Sequence, residues 1–353
     1  MPAKKNLRVL RVVLASAAAL LYTLALASAD AAPAAPLVKR ADGAERLYAP
    51  AAPKSAQNPA YAPGGRKVLF TLFYKGYGAG RAGIYKLPLA TRTPARVLDE
   101  RGHESVNLPG AAWNAATKRL TFASDRVDTD EIWTSAPDGS QRFRVTHHTS
   151  NTIYLEPSFS PDGQWIVFEV DKNVPDPQQA GSIWKVRADG TQLTPLTDGP
   201  GGGTDDREPN WSPTGERIVF QRRAQGADNW CLYTMAPDGT AVQPLTTTGG
   251  DTDASWSPDG KWVVYSSDVG GLPAPNIFVI SAQGGAPLRV TNQNTQEDSA
   301  PSWSPDGKSI AFESHTNNDT APASLWRIAA PSLTSPTTMP GGIWRPLLAT
   351  HWQ

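Results

Sequence analysis

Cysteine is nearly absent from this sequence: Cys231 is the single one in 353 residues. No internal disulfide can form, so packing and hydrogen bonding must hold the fold. Cys231 stands in the apolar run Trp230-Cys231-Leu232-Tyr233 with no histidine near it in sequence. It reads as a buried strand residue rather than a reactive thiol. Net charge is absent as well, with 33 Lys and Arg against 33 Asp and Glu. No basic run follows the first residues, so nucleic acid is not an expected partner. Neither H-E-x-x-H nor G-x-S-x-G occurs, which removes zincin and nucleophile-elbow chemistry. The five histidines, His103, His147, His148, His315 and His351, are scattered. His147 and His148 are adjacent, so on a strand their side chains diverge and cannot share a metal. Gly307-Lys308-Ser309 ends like a phosphate loop, but Ser302 stands where that loop needs its first glycine.

What is present begins with a leader. Lys4, Lys5, Arg8 and Arg11 precede an apolar run from Val12 to Leu26, and Ala27-Ser28-Ala29 fits a small-residue cleavage site. The run has the length of a signal core and is short for a membrane span. Residues 1–29 are therefore expected to be a signal peptide, giving a periplasmic or secreted protein with no span after cleavage. Removing them leaves an acidic excess of four. Residues 30–57 form an Ala/Pro-rich lead-in.

From residue 58 onward one short phrase recurs six times. Its second position falls at Pro63, Ala115, Pro161, Pro213, Pro258 and Pro305. Spacing of this size indicates one β-rich unit repeated, which closes into a propeller. In the third copy, Glu156 to Ser160 reads as a strand near the axis and Pro161-Asp162-Gly163 as a tight turn. Gln164 to Phe168, Ser182 to Val186 and the run ending Leu196-Thr197 supply three more strands. The expected fold is all-β: a six-bladed propeller of four-stranded blades over residues 58–353. The aromatic before each first turn (Tyr61, Trp113, Phe159, Trp211, Trp256, Trp303) is expected to wedge between blades. Two segments compete to close the ring. One is Ile343 to Leu347; the other is Leu37 to Leu47, which reads as strand, Asp-Gly turn and strand.

The phrases Glu208-Pro209-Asn210-Trp211-Ser212-Pro213 and Ala300-Pro301-Ser302-Trp303-Ser304-Pro305-Asp306-Gly307 resemble the WD40-like PD40 repeat, and the ring resembles a TolB-type propeller. The resemblance implies a periplasmic, non-enzymatic, monomeric protein-binding module whose partner could be a peptidoglycan-associated lipoprotein. It also departs from its namesake, which carries an α/β domain where this sequence has Ala/Pro-rich residues, and this sets aside a TolA-type contact. Other relatives of the repeat act on polysaccharides, so a carbohydrate-active lyase or hydrolase is the alternative.

Aligning the units places Asn58, Gly110, Glu156, Glu208, Asp253 and Ala300 at one equivalent position, opening the innermost strand at a channel mouth. Glu156, Glu208 and Asp253 are thus an acidic arc in consecutive blades, suited to a calcium ion or to a basic segment of a partner. The alternative is that these acids only cap backbone. Preceding loops are expected to add Asp205, Asp206, Asp251, Glu297 and Asp298. Loops after second strands on the same face are expected to add Asp125, Arg126, Arg222, Arg223, Asp268 and His315 as partner contacts. No cofactor other than calcium is expected.

Overall fold

The repeated phrase works by bonding itself into a hairpin. In the third copy the Ser160 hydroxyl donates to Asp162 Oδ1 at 2.5 Å, and the same oxygen accepts the Gln164 N–H at 3.0 Å. Ser160 Oγ also accepts the Trp165 N–H at 2.9 Å, which starts the second strand. The same three bonds recur around Ser257 and Asp259 and around Ser304 and Asp306. Gly163 takes φ 69°, and a Cβ there would lie 2.4 Å from Thr117 of the preceding blade. Only glycine lets the turn both bend and seat against its neighbour.

A second repeated device fixes the outer edge. The fourth strand of four blades leads into a threonine whose hydroxyl accepts the N–H near the start of the third strand: Thr146 for Ile132, Thr197 for Ile183, Thr246 for Leu232 and Thr291 for Ile277. These threonines are buried. A buried hydroxyl with a fixed partner orders the edge where the strand itself is only two residues long.

These devices produce six antiparallel sheets arranged as a propeller in the computed structural model, which describes residues 38–99, 106–107, 112–127, 129–148, 152–172, 180–224, 226–247, 249–316 and 321–333. In blade three the strands run Thr152–Phe159, Trp165–Lys172, Ser182–Arg187 and Thr194–Pro195 from axis to rim. Blade four repeats this with Thr204–Trp211, Ile218–Ala224, Cys231–Met235 and Gln243–Pro244. Blade two differs, since its inner strand is described in two pieces, Val106–Asn107 and Trp113–Asn114. Cys231 lies on a third strand, as the sequence indicates, but is half-buried rather than buried. No helix among the described residues is long and apolar enough to cross a membrane. The leader, Gly110, His103 and His351 lie outside the described residues.

The wedging aromatics each pack on the preceding blade. Trp211 sits with Val167 and Ile183 of blade three, Trp256 with Val219 and Leu232 of blade four, and Trp303 with Val264 and Ile277 of blade five. Tyr61 packs on Ala311 and Leu325 of blade six, so the seam between last and first blades is built like the others.

The ring closes from the N-terminal side. Glu45–Tyr48 pairs antiparallel with Ser324–Ala329 as the outermost strand of blade six, with Glu45 opposite Arg327. Just upstream, Arg40 reaches Asp298 with bonds of 2.9 and 2.7 Å, and its guanidinium lies 4.8 Å over Trp326 and 5.2 Å over Phe312. The competing segment, Ile343 to Leu347, lies outside the described residues. The lead-in therefore contributes its outer half to the propeller, and blade one begins at Ser55 rather than at residue 58.

Candidate binding site in the axial channel

The inner strands of five blades carry a bulge. In blade four Arg207 pairs with Gln221 and Asn210 with Val219, so Glu208 and Pro209 together oppose Phe220. Blades one, three, five and six repeat the slip at Asn58, Glu156, Asp253 and Ala300. All five residues adopt left-handed backbone, with φ of 53°, 48°, 51°, 55° and 47° for Asn58, Glu156, Glu208, Asp253 and Ala300. That conformation costs a non-glycine residue roughly 1–2 kcal/mol. Proline follows in four of the five and asks for no ladder partner. The facing aromatics Phe70, Phe168, Phe220, Tyr265 and Phe312 are fully buried and hold the slip in place. The acids therefore sit mid-strand at a bulge, not at the strand's opening as the sequence suggested.

The bulges bring Glu156, Glu208 and Asp253 together with Asn58 and Ala300 around a cavity of about 40 Å³ on the axis. No Lys, Arg or His is among its lining residues. That volume holds a few waters or one cationic head group. Toward the repeated turns it gives way to a funnel of about 310 Å³ ringed by the six wedging aromatics.

Two further carboxylates, which the sequence reading missed, back the ring. Glu169 and Glu313 are buried on second strands, each directly after a repeat aromatic, Phe168 and Phe312. An acid in that slot of a strand otherwise filled with apolar residues was the available signal. The carboxylates bridge from blade to blade. Glu169 Oε2 accepts the Glu208 N–H at 3.2 Å, and Glu208 Oε2 accepts the Asp253 N–H at 3.0 Å. Asp253 accepts the Ala300 N–H, and Glu313 Oε2 accepts the Asn58 N–H at 2.6 Å. Tyr77, from the loop after the second strand of blade one, donates to Glu313 Oε1 at 2.8 Å. The bonds that cap neighbouring blades thus also hold the carboxylates of Glu169, Glu208, Asp253 and Glu313 in place.

Burial and mutual repulsion make these acids reluctant to ionise. Desolvation, then Asp253, pushes Glu156 up to about 7. Desolvation raises Glu169 to about 8 against the opposing pull of Arg207, and raises Glu313 to about 7. Glu208 is raised well above the ordinary carboxylate value by desolvation, Asp253, Glu156 and Glu169, and Asp253 is raised by desolvation. A cation entering the ring would displace protons, so its binding strengthens as pH rises.

The predicted rim residues behave differently. Asp205 and Asp206 do not sit in a loop. They are buried on the inner strand of blade four, where arginines neutralise them. Arg223 and Arg207 reach Asp205 at 2.9 and 2.8 Å, and Arg222 forks onto Asp206 at 2.6 and 2.8 Å. Arg222 is thereby committed, with its guanidinium also 5.2 Å over both Phe220 and Tyr233. His315 is likewise on a strand and buried, with Nδ1 at 2.8 Å from the Thr316 carbonyl and its ring 4.5 Å from Tyr77. Asp298 pairs with Arg40, and Asp251 accepts the Ser267 hydroxyl at 2.6 Å. The misplacement has one cause: the inner strands and the second strands paired with them run past the bulge toward the face where loops were expected. Asp125 is half-buried and Arg126 exposed, both in the loop after the second strand of blade two. Among the described residues no three His, Cys, Asp or Glu side chains are placed to hold a metal ion. Glu156, Glu208 and Asp253 therefore do not form a ready calcium cage, and His147, His148 and His315 do not converge.

A ring of near-identical blades, sealed by its own N-terminal strand around a polar axis, defines a repeat-built β-propeller. The profile of the TolB beta propeller domain matches residues 37–250 and 205–337, and the chain belongs to that family. It is 29% identical over 200 residues to an uncharacterised protein of Agrobacterium fabrum, covering 53% of this chain and 62% of that one. Matches to the curated relatives span less than two thirds of those proteins' own length. TolB from Acinetobacter baumannii superposes with a TM-score of 0.54 at 16% identity, over 78% of this chain and 63% of that one. An oligogalacturonate lyase in complex with manganese gives 0.55 at 15%, over 84% and 96%. At such identities the likeness is one of fold.

Proposed function

We propose that this chain is an exported, non-enzymatic, TolB-like binding propeller that receives a basic side chain of a cell-envelope protein in its axial channel. A peptidoglycan-associated lipoprotein is the first partner to try. The observation that carries this reading is the ring of Glu156, Glu208 and Asp253, held on the axis by left-handed backbone with no basic residue lining the cavity. Carboxylates around a cavity lined by no basic residue favour an incoming cation and penalise an anion. The exposed Arg126 and half-buried Asp125 lie on a loop that could extend the contact. A cavity of about 40 Å³ has no room for a sugar ring, which weighs against carbohydrate chemistry at the waist.

The test is crosslinking capture of partners from envelope extract with the wild-type protein and with Glu156→Gln/Glu208→Gln/Asp253→Asn, each with and without calcium. Amides keep the oxygen acceptors for the neighbouring N–H groups and remove only charge. A partner captured by the wild type and lost in the triple variant, more strongly bound at pH 8 than at pH 6, is the expected result. Equal capture by both proteins overturns the channel as the contact.

A further inference from the structure

A second site lies away from the axis, in the groove between blades one and two. The groove has a volume of about 560 Å³. Leu69 and Trp113 are among its apolar lining, and Arg66, Lys67, Lys86 and Lys118 are its four cations, against the single acid Asp138. Asp138 is engaged by Ser140, whose N–H and hydroxyl both donate to its Oδ1. The Trp113 indole N–H is buried without a partner. No ion pair joins any of the four cations to a carboxylate among the described residues.

The repeat supplies an internal control. In blade three Val167 pairs with Lys185 and Trp165 with Arg187; in blade one Leu69 pairs with Lys86 and Lys67 with Pro88. Lys86 is thus the counterpart of Lys185, and Lys67 that of Trp165. Lys185 is fully committed, since its Nζ donates to the Pro237 carbonyl at 2.7 Å and lies 4.9 Å over the Trp165 ring. The corresponding residue of blade six, Arg327, is paired with Glu45 at 2.8 Å. Blade one replaces the indole with a second lysine. The lock that fills the seam between blades three and four is missing here, and like charges face one another across an open, apolar-floored groove.

We propose that this groove binds an organic anion with an apolar or aromatic body and a carboxylate or phosphate head. The body would cover Leu69 and the edge of Trp113, and the head would lie between Lys86 and Lys118, on opposite walls. Pockets of this size with an apolar lining and a few charged groups hold one such molecule, and ammonium–anion contacts supply the orientation.

Calorimetric titration at low salt tests this with 1-naphthoate and 1-naphthyl phosphate as probes, and with 1-naphthylmethylamine and acetate as controls. Saturable one-site binding of either naphthyl anion, and none of the amine or of acetate, is expected. Lys86→Gln/Lys118→Gln, whose side chains make no hydrogen bond that the fold needs, should weaken binding by roughly tenfold or more with an unchanged melting temperature. Preference between the two anions identifies the head group. The triple variant of the channel should bind the probes like the wild type, which separates this site from the axial one. Absence of saturable binding by both anions at millimolar concentration, equal binding of the amine, or undiminished binding in the lysine variant overturns the proposal.

Discussion

The side chains that carry the most consequence here are charged ones placed where strands meet the axis. Asp206 is buried, and Arg222, its basic partner among the described residues, has one fifth of its side chain exposed. Removing one member of such a pair strands the other charge. Asp206→Ala should lower stability by about 3 kcal/mol, read as a shift in the urea midpoint. Asp206→Ala/Arg222→Met should recover most of that loss, because an apolar pair of similar volume needs no counter-charge. A double variant no better than the single one would mean that the ion pair is not what the site contributes. The identity of these residues was legible in the sequence but their setting was not. A run such as Thr204-Asp205-Asp206-Arg207 has the composition of a loop, and only the register with Arg222 and Arg223 shows that it is strand.

At the level of elements, the blades were readable because hairpins such as Ser160 to Trp165 carry their own chemistry in six consecutive residues. The bulges were not. A proline in an inner strand ordinarily marks its end, so Glu156-Pro157 and Glu208-Pro209 read as openings. The slip opposite Phe168 and Phe220 lets the strand continue through the proline, and local sequence holds no trace of a register shift. Closure was undecided for a similar reason, since pairing between Glu45 and Arg327 leaves no mark in either segment alone. Removing residues 38–49 should bare the edge of Ser324–Ala329 and delete the Arg40 contacts with Asp298 and Trp326. The truncated protein should melt well below the intact one and elute as aggregates, since an uncovered edge pairs with other chains. A truncated protein that remains monomeric with an unchanged melting curve would show that the seam of Tyr61 with Ala311 and Leu325 suffices.

For the whole molecule, the channel acids impose a pH dependence. Glu156, Glu169 and Glu313 bind their protons more tightly folded than unfolded, at about 7, 8 and 7 against the ordinary 4.5. Between those limits the folded state holds more protons. The stability they contribute is fully present below the ordinary carboxyl value and is lost as pH rises through their folded values. The melting temperature should therefore fall from about pH 5 to about pH 9. Glu156→Gln/Glu169→Gln/Glu313→Gln should flatten the slope, and an equally steep slope in that variant would place the titrating groups elsewhere. A cation bound at the proposed site would oppose the same trend.

The N-terminal clasp also sets an order of events at birth. The strand that completes the ring comes first among the described strands, and its partner Arg327 follows Glu45 by 282 positions. Until the sixth blade exists, Glu45–Tyr48 lacks its sheet neighbour Ser324–Ala329, and Tyr61 has no Ala311 or Leu325 to cover it. Contacts so distant along the chain slow the final step of folding. The outer edge of Ser324–Ala329 and the face of blade one around Tyr61 are therefore covered together, only when the two ends of the ring meet.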